Sequence, residues 1–260
     1  MRPAILARVP PSVSFNNSRR RLIQTAAAVA TGFAVAPRSL IAEALQPVFD
    51  ADIGLDPGHS RVDVGASGAG VGEYQHTLDV ALRIRPLLED AGLRVNLSRN
   101  DDQPLTAMSH PNLTERTRIE QAARIEAVGK VRVYVSIHFN AGADARLSGT
   151  ESYFNTDNAA PESLRLAQAV QRNVVGSLRE LGHPVVDRGV KEDLLAGKPY
   201  GHFFSLRGGM PSALVEGLFL SNPVEAALLL REETRQAVAR GYVGGILEYF
   251  AVVTSASATP

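Results

Sequence analysis

The chain has 260 residues, 27 basic against 27 acidic side chains, and 45% hydrophobic and 21% charged residues. This is a globular balance that excludes a disordered or fibrous chain, and zero net charge argues against a nucleic-acid partner held by a basic surface. No cysteine is present, so disulfides, thiolate catalysis and Cys-ligated zinc are excluded, and any metal must sit on His, Asp or Glu.

Charge is unevenly spread. Residues 1–44 hold six arginines and one acid; removing them leaves 21 bases and 26 acids, so residues 45–260 sum to −5. The cluster Arg19-Arg20-Arg21 precedes a mildly apolar stretch through Ala36 and an A-x-A site at Ala42-Glu43-Ala44. Basic n-region, apolar h-region and small-residue cleavage site are the parts of an export signal. Ser18-Arg19-Arg20-Arg21-Leu22-Ile23 resembles the twin-arginine type, so residues 1–44 are expected to be a twin-arginine signal peptide and the mature protein periplasmic. No transmembrane anchor is expected once it is removed.

Residues 45–260 read as one α/β domain, a mixed, largely parallel β-sheet with helices on both faces. Residues 51–55 form a short apolar strand ending in the turn signal Asp56-Pro57-Gly58. Residues 73–91 carry Leu78, Ala81, Leu82, Leu87, Leu88 and Ala91 near helical spacing, with Gly92 as the stop. Pro86 inside that run is expected to kink or split the helix. A strand at 93–97 and a helix at 114–128 follow. The strand at 131–137 places Val131, Val133, Val135 and Ile137 on one face, with Tyr134, Ser136 and His138 on the other. Residues 149–154 are expected to be an edge strand, and 161–181 a long helix with proline in its first turn. Residues 213–220 form a strand running into a turn at Ser221-Asn222-Pro223, and 233–250 the closing helix. Functional groups of such a sheet gather at the strands' carboxyl ends.

Three potential ligands fall there: His59 past the first strand, Glu73 opening the first helix after a glycine-rich loop, and His138 ending the third strand. Two imidazoles and a carboxylate suit zinc with a position left for water. Each has a structural alternative, a hydrogen-bonded histidine or a glutamate complementing a helix dipole. Glu216 is different, because it is a carboxylate inside the apolar run Ala213–Leu220. An unpaired charge there costs several kcal/mol, so the side chain needs a partner or a raised pKa. An arginine salt bridge and a general base are the two readings. His76, His110, His183 and His202 have no comparable context and are expected to be surface or structural.

Taken together, these segments resemble the zinc-dependent N-acetylmuramoyl-L-alanine amidases of bacterial cell walls. The resemblance rests on Asp56-Pro57-Gly58-His59, on Gly68-Ala69-Gly70-Val71-Gly72-Glu73, on Ser136-Ile137-His138-Phe139-Asn140-Ala141, and on Glu216 through Asn222. Lesser matches are Ser98-Arg99, Leu113-Thr114-Glu115-Arg116 and Arg188-Gly189-Val190-Lys191. Ser60, where the family usually has glycine, and Gly217-Leu218 depart from the pattern. The resemblance implies one Zn²⁺ on His59, Glu73 and His138, with Glu216 as general base. The substrate it implies is peptidoglycan, cut by a zinc-activated water between the lactyl group of N-acetylmuramic acid and the L-alanine of the stem peptide. Asn140, Arg188 and Lys191 become candidate substrate contacts, the two cations facing stem-peptide carboxylates unless they are solvated surface charge. Only Gly142 to Ser148 separate Ala141 from Gly149, too few for the inhibitory helix of some relatives, which implies a site open without an activator. The sequence identifies no recruiting or activating wall protein. Rival readings are a zinc carboxypeptidase or amidase acting on free muropeptides, a catalytically silent wall-binding domain, and a periplasmic metal carrier.

Overall fold

The computed structural model describes residues 47–257; the expected signal peptide over 1–44 lies outside them. In chain order the elements are β1 (Ala51–Pro57), the short hairpin β2 (Ser67–Gly68) and β3 (Val71–Gly72), α1 (Glu73–Asp90), β4 (Val95–Leu97), α2 (Leu113–Ala127) and β5 (Val131–Asn140). β6 (Thr150–Phe154), α3 (Ala160–Glu180), β7 (Asp187–Glu192), β8 (Ser212–Phe219), α4 (Pro223–Leu230) and α5 (Glu232–Ser257) complete the chain, with 3₁₀ turns at Asp193–Ala196 and Phe204–Leu206. Among the described residues no helix is long and apolar enough to cross a membrane.

The main sheet has the order β4-β1-β5-β8-β6-β7. The first four strands are mutually parallel, β6 is antiparallel to β8, and β7 is parallel to β6. The expected mixed, largely parallel α/β sheet is what the chain forms. Its two faces are unequally covered. Ile53, Leu55, Val133, Val135 and Ile137 enter one large core with α1, α3 and α5. On the other face Tyr134 joins Val131, Ala51 and Val128 in a small cluster, and Leu214 joins Tyr153, Phe203 and Leu206 in another. Val131, expected on the same face as Val133, therefore contributes to the smaller side.

The helices form for identifiable reasons. α3 buries Leu166, Ala167, Val170, Val174 and Leu178 at helical spacing. α5 lies backbone-to-backbone on it, since a Cβ at Gly241 or Gly245 would stand 2.5 or 2.4 Å from the Cα of Val174 or Val170. Glycine is required there for approach, not for backbone freedom.

Two further expectations are corrected. Pro86 does not split α1, which runs unbroken through it; Pro86 and Leu82 are both exposed, so the carbonyl freed by the missing N–H is on the solvent side. Residues 150–154 are not an edge strand, because β7 pairs beyond β6. The turn expected at Ser221-Asn222-Pro223 forms, and within it the Asn222 side chain accepts from the N–H groups of Val224 and Glu225 and caps α4.

Candidate active site

The strand register builds the site. On the thinly covered face, His138 of β5 lies opposite Glu216 of β8, and Glu216 lies opposite Glu151 of β6. One row across three strands thus presents His138, Glu216 and Glu151 side by side. Glu73 reaches the row from the first turn of α1, and His59 from the loop after β1.

His59, Glu73 and His138 converge, each offering a donor atom within 4.8 Å of the others. Glu73 bridges the imidazoles. Its Oε1 accepts from the His138 ring at 2.8 Å and the Phe139 N–H at 3.0 Å, while Oε2 accepts from the Ala66 N–H at 2.8 Å and stands 3.3 Å from His59 Nε2. His59 Nδ1 is 3.0 Å from Asp63 Oδ2, so a carboxylate on the far side of the ring leaves Nε2 facing inward. Burial disfavours charge on His59, but Glu73 and Asp63 outweigh it and raise its pKa to about 10. Burial alone would raise Glu73; the two imidazoles instead hold it well below the usual carboxylate range. The site is therefore organised around positive charge, and its nitrogen and carboxylate donors with an outer carboxylate on one ring fit zinc.

The backbone around these groups is tightly determined. His59 has φ 63°, a left-handed conformation costly for a residue with a Cβ. Two buried arginines clamp the carbonyls around it. Arg99 donates to Pro57 and Gly58 at 2.9 Å each; Arg124 donates to Pro57 at 2.7 Å and to the His59 carbonyl. Asp56 anchors Arg124 at 3.3 Å and accepts from Ser98 at 2.6 Å and Ser136 at 2.7 Å. Gly58 is glycine because a Cβ would lie 2.3 Å from the His138 ring; at Gly65, φ +67°, it would lie 2.4 Å from Glu73 Oε2. Ser60, the departure from the family pattern, is accommodated: its N–H bonds the Asp63 carbonyl at 2.9 Å, and its hydroxyl faces the Asp63 N–H at 3.4 Å.

Glu216 is half-buried, yet its Oε2 is enclosed and has no hydrogen-bond partner. Among the described residues no cation forms an ion pair with it, so the salt-bridge alternative finds no partner. Burial, reinforced by the nearby Glu73 charge, pushes its carboxyl well above the usual carboxylate range. A carboxyl group whose hold on a proton is strengthened, beside a cation site, is suited to take one up and pass it on.

Asn140, Arg188 and Lys191 also converge, on a residue the sequence reading missed. Glu151 accepts from Asn140 Nδ2 and the Tyr153 hydroxyl on Oε1, each at 2.7 Å, and from Arg188 Nε at 2.7 Å and Lys191 Nζ at 2.5 Å on Oε2. Burial opposes its charge, but the hydrogen bonds from Lys191, Arg188 and Tyr153 prevail and lower its pKa to about 2. Asp63 was likewise missed, as was the role of Arg124. Of the remaining histidines, His76 is buried; His183 stands 3.4 Å from Glu225, and His202 2.6 Å from Asp193.

An α/β sheet carrying a carboxylate-bridged imidazole pair next to an unpaired carboxylate is the framework of a metal-assisted hydrolase. Comparison with known families narrows the class, for residues 53–248 match the family described as N-acetylmuramoyl-L-alanine amidase. The chain belongs to that family. It is 30% identical over 200 residues to the germination-specific N-acetylmuramoyl-L-alanine amidase of Bacillus subtilis, covering 75% of this chain and 78% of that one. It is 33% identical over 209 residues to the uncharacterized protein YqiI of the same organism, covering 80% and 89% respectively. Among solved structures it resembles the CwlD amidase of Clostridioides difficile, determined in complex with the GerS lipoprotein. That match has a TM-score of 0.65 at 26% identity and covers 78% of this chain and all of that one. An N-acetylmuramoyl-L-alanine amidase of Clostridium difficile 630 gives 0.60 at 28% identity, covering 77% and 96%.

Proposed function

We propose that this amidase hydrolyses the amide joining the lactyl group of N-acetylmuramic acid to the L-alanine of the peptidoglycan stem peptide. His59, Glu73 and His138 hold one zinc ion, and Glu216 is the general base. The observation that carries this reading is the orphaned, enclosed Oε2 of Glu216, in register with a zinc-ligand candidate. Zinc bound there supplies Lewis-acid polarisation of the amide carbonyl and lowers the pKa of water. The rest of the work falls to the protein. Glu216 takes a proton from the attacking water and returns it to the leaving nitrogen. Glu73 keeps both imidazoles aimed at one point, Asp63 fixes the His59 ring, and the Arg99–Arg124 clamp holds the strained His59 backbone. No helix occupies the segment 142–148, in keeping with a site open to polymer.

The same reading places the protein in the periplasm, exported through the signal over residues 1–44, where it remodels or separates the cell wall. Digestion of purified sacculi is the test. Free stem peptides with intact glycan strands are the expected products. Trimmed stem peptides still attached to glycan would overturn the assignment in favour of a carboxypeptidase.

A further inference from the structure

The ladder between β5 and β8 is irregular directly after Glu216. His138 pairs with Glu216 and Asn140 with Phe219, so Gly217 and Leu218 together stand opposite Phe139. This is a β-bulge, uncommon between parallel strands and a means of re-aiming a side chain. Its effect is visible in the packing. Ala213 and Val215 enter the large core, and so do Leu218 and Leu220; the spacing is two residues, then three across the bulge, then two. Side chains alternate between faces in a regular strand. Without the extra residue, Glu216 would therefore share the core face with Leu218 and Leu220. The bulge lets it stand in the row with His138 instead. Gly217 makes room for it, since a Cβ there would lie 2.9 Å from the Phe139 ring.

A bulge disrupts the ladder locally, and the buried backbone groups it frees need other partners. Two side chains supply them. The Thr150 hydroxyl donates to the Gly217 carbonyl at 2.6 Å, and the Glu225 carboxylate accepts from the Phe219 N–H at 2.7 Å. The other Glu225 oxygen accepts from the Gly149 N–H at 2.8 Å and stands 3.4 Å from His183 Nε2. The two holders are thus joined through the adjacent residues Gly149 and Thr150. Both are buried, Thr150 completely and Glu225 with 2% exposure. The cap of α4 brings Glu225 there, because Asn222 accepts from its N–H at 3.3 Å. Among the described residues neither side chain bonds to His59, Glu73 or His138. We propose that Thr150 and Glu225 are positioning residues for the reaction, which hold the β8 bulge and through it aim Glu216. The proposal rests on the amidase reading above, in which Glu216 is the base. Both act on backbone atoms one and three residues past Glu216, and a misplacement of about 1 Å in a reacting group can cost 10²-fold in rate. Their removal should therefore lower turnover and leave zinc and substrate affinity alone.

The test uses the zinc-loaded protein on purified sacculi. Thr150→Val keeps the shape but leaves the Gly217 carbonyl without its donor, whereas Thr150→Ser keeps the hydroxyl. Thr150→Val should lose about tenfold or more in kcat with KM and zinc content unchanged, and Thr150→Ser should recover most of that loss. Glu225→Gln should lose a similar factor, because its amide nitrogen cannot accept a backbone N–H. In a Glu216→Gln background, Thr150→Val should lower kcat no further, since its effect runs through the base. Wild-type turnover in Thr150→Val overturns the proposal, as does a full additional loss on top of Glu216→Gln. Amide hydrogen exchange gives a readout independent of activity. The Phe219 and Gly149 amides should exchange about tenfold or more faster in Glu225→Gln, with those of β1 unchanged; unchanged exchange at Phe219 also overturns the proposal. If Glu225→Gln does not fold, the Thr150 pair decides alone. Sacculi left intact by the wild type would instead sink the amidase reading, and exchange at Phe219 would still decide whether Glu225 holds the bulge.

Discussion

Glu151 and Glu216 face each other across the antiparallel β6–β8 pair, and their surroundings drive them in opposite directions. Glu151 is surrounded by donors and its pKa falls to about 2; Glu216 has an oxygen with no partner and its pKa rises well above the usual range. Neighbouring carboxyl groups split in this way take different roles. The ionised one holds an electrostatic scaffold, and the other is free to exchange a proton.

That division predicts the behaviour of Glu216→Gln. The amide keeps the shape but cannot accept the proton, so turnover on sacculi should fall by roughly 10²–10⁴-fold. Zinc content should stay near one per chain, because Glu216 is outside the ligand trio. Thermal stability should hold or rise slightly, since no charge remains to desolvate. Near wild-type digestion by the variant would show that the base is elsewhere.

The metal site makes a graded prediction. His138→Ala should abolish zinc retention outright, because too few ligands remain. Asp63→Asn should weaken zinc binding by about 10–100-fold, the usual cost of losing an outer partner of a ligand. Gly58→Ala should also weaken it, since the new methyl would sit 2.3 Å from the His138 ring and displace it. Zinc affinity measured by competition with a chelator orders the three. Wild-type affinity in Asp63→Asn would remove Asp63 from the site.

The parts of this site legible in the sequence are those whose signal is local. Asp56-Pro57-Gly58-His59 and Ser136 to Ala141 each lie at the carboxyl end of one strand, and Glu216 stands out as a charge in an apolar run. Glu151 gave no such contrast, because Thr150-Glu151-Ser152 is already polar. Its burial comes from β7 pairing beyond β6, and β7 itself, Asp187-Arg188-Gly189-Val190-Lys191-Glu192, has the composition of a loop. Arg99 and Arg124 act on carbonyls that are distant in sequence, 41 and 65 residues away at Gly58 and His59, and periodicity carries no trace of such contacts. The misplaced edge strand has the same origin: strand order is a non-local property.

Export can be tested independently of the fold. Replacing Arg19, Arg20 and Arg21 together with lysine keeps the charge but removes the guanidinium pair, which Lys does not imitate. The precursor should then accumulate in the cytoplasm, whereas the parent chain should appear outside the inner membrane, cleaved after Ala44. Cell fractionation with N-terminal sequencing decides it, and normal export of the triple variant would remove the twin-arginine assignment.

Acid stability should report on the Asp56 hub beneath the ligand loop. Burial would raise the Asp56 pKa, but Arg124, Ser98 and Ser136 bring it from 3.8 down to about 2. A carboxyl depressed on folding stabilises the native state fully above its unfolded pKa, and that contribution disappears as pH falls through the folded value. For Asp56 the window runs from about pH 4 down to about pH 2, and the contribution is roughly 2 kcal/mol at ~1.4 kcal/mol per unit. Glu151 titrates in the same window, so the wild type should lose more than this single share. Asp56→Asn should begin less stable at pH 7, by about 3–5 kcal/mol, because Arg124 loses its buried partner. Its stability should then decline less between pH 4 and 2, by about the Asp56 share. Urea unfolding of both proteins with chelator present throughout keeps zinc release out of the comparison. Parallel acid limbs for the two proteins would mean that Asp56 is not what holds Arg124, and through it the His59 carbonyl, in place.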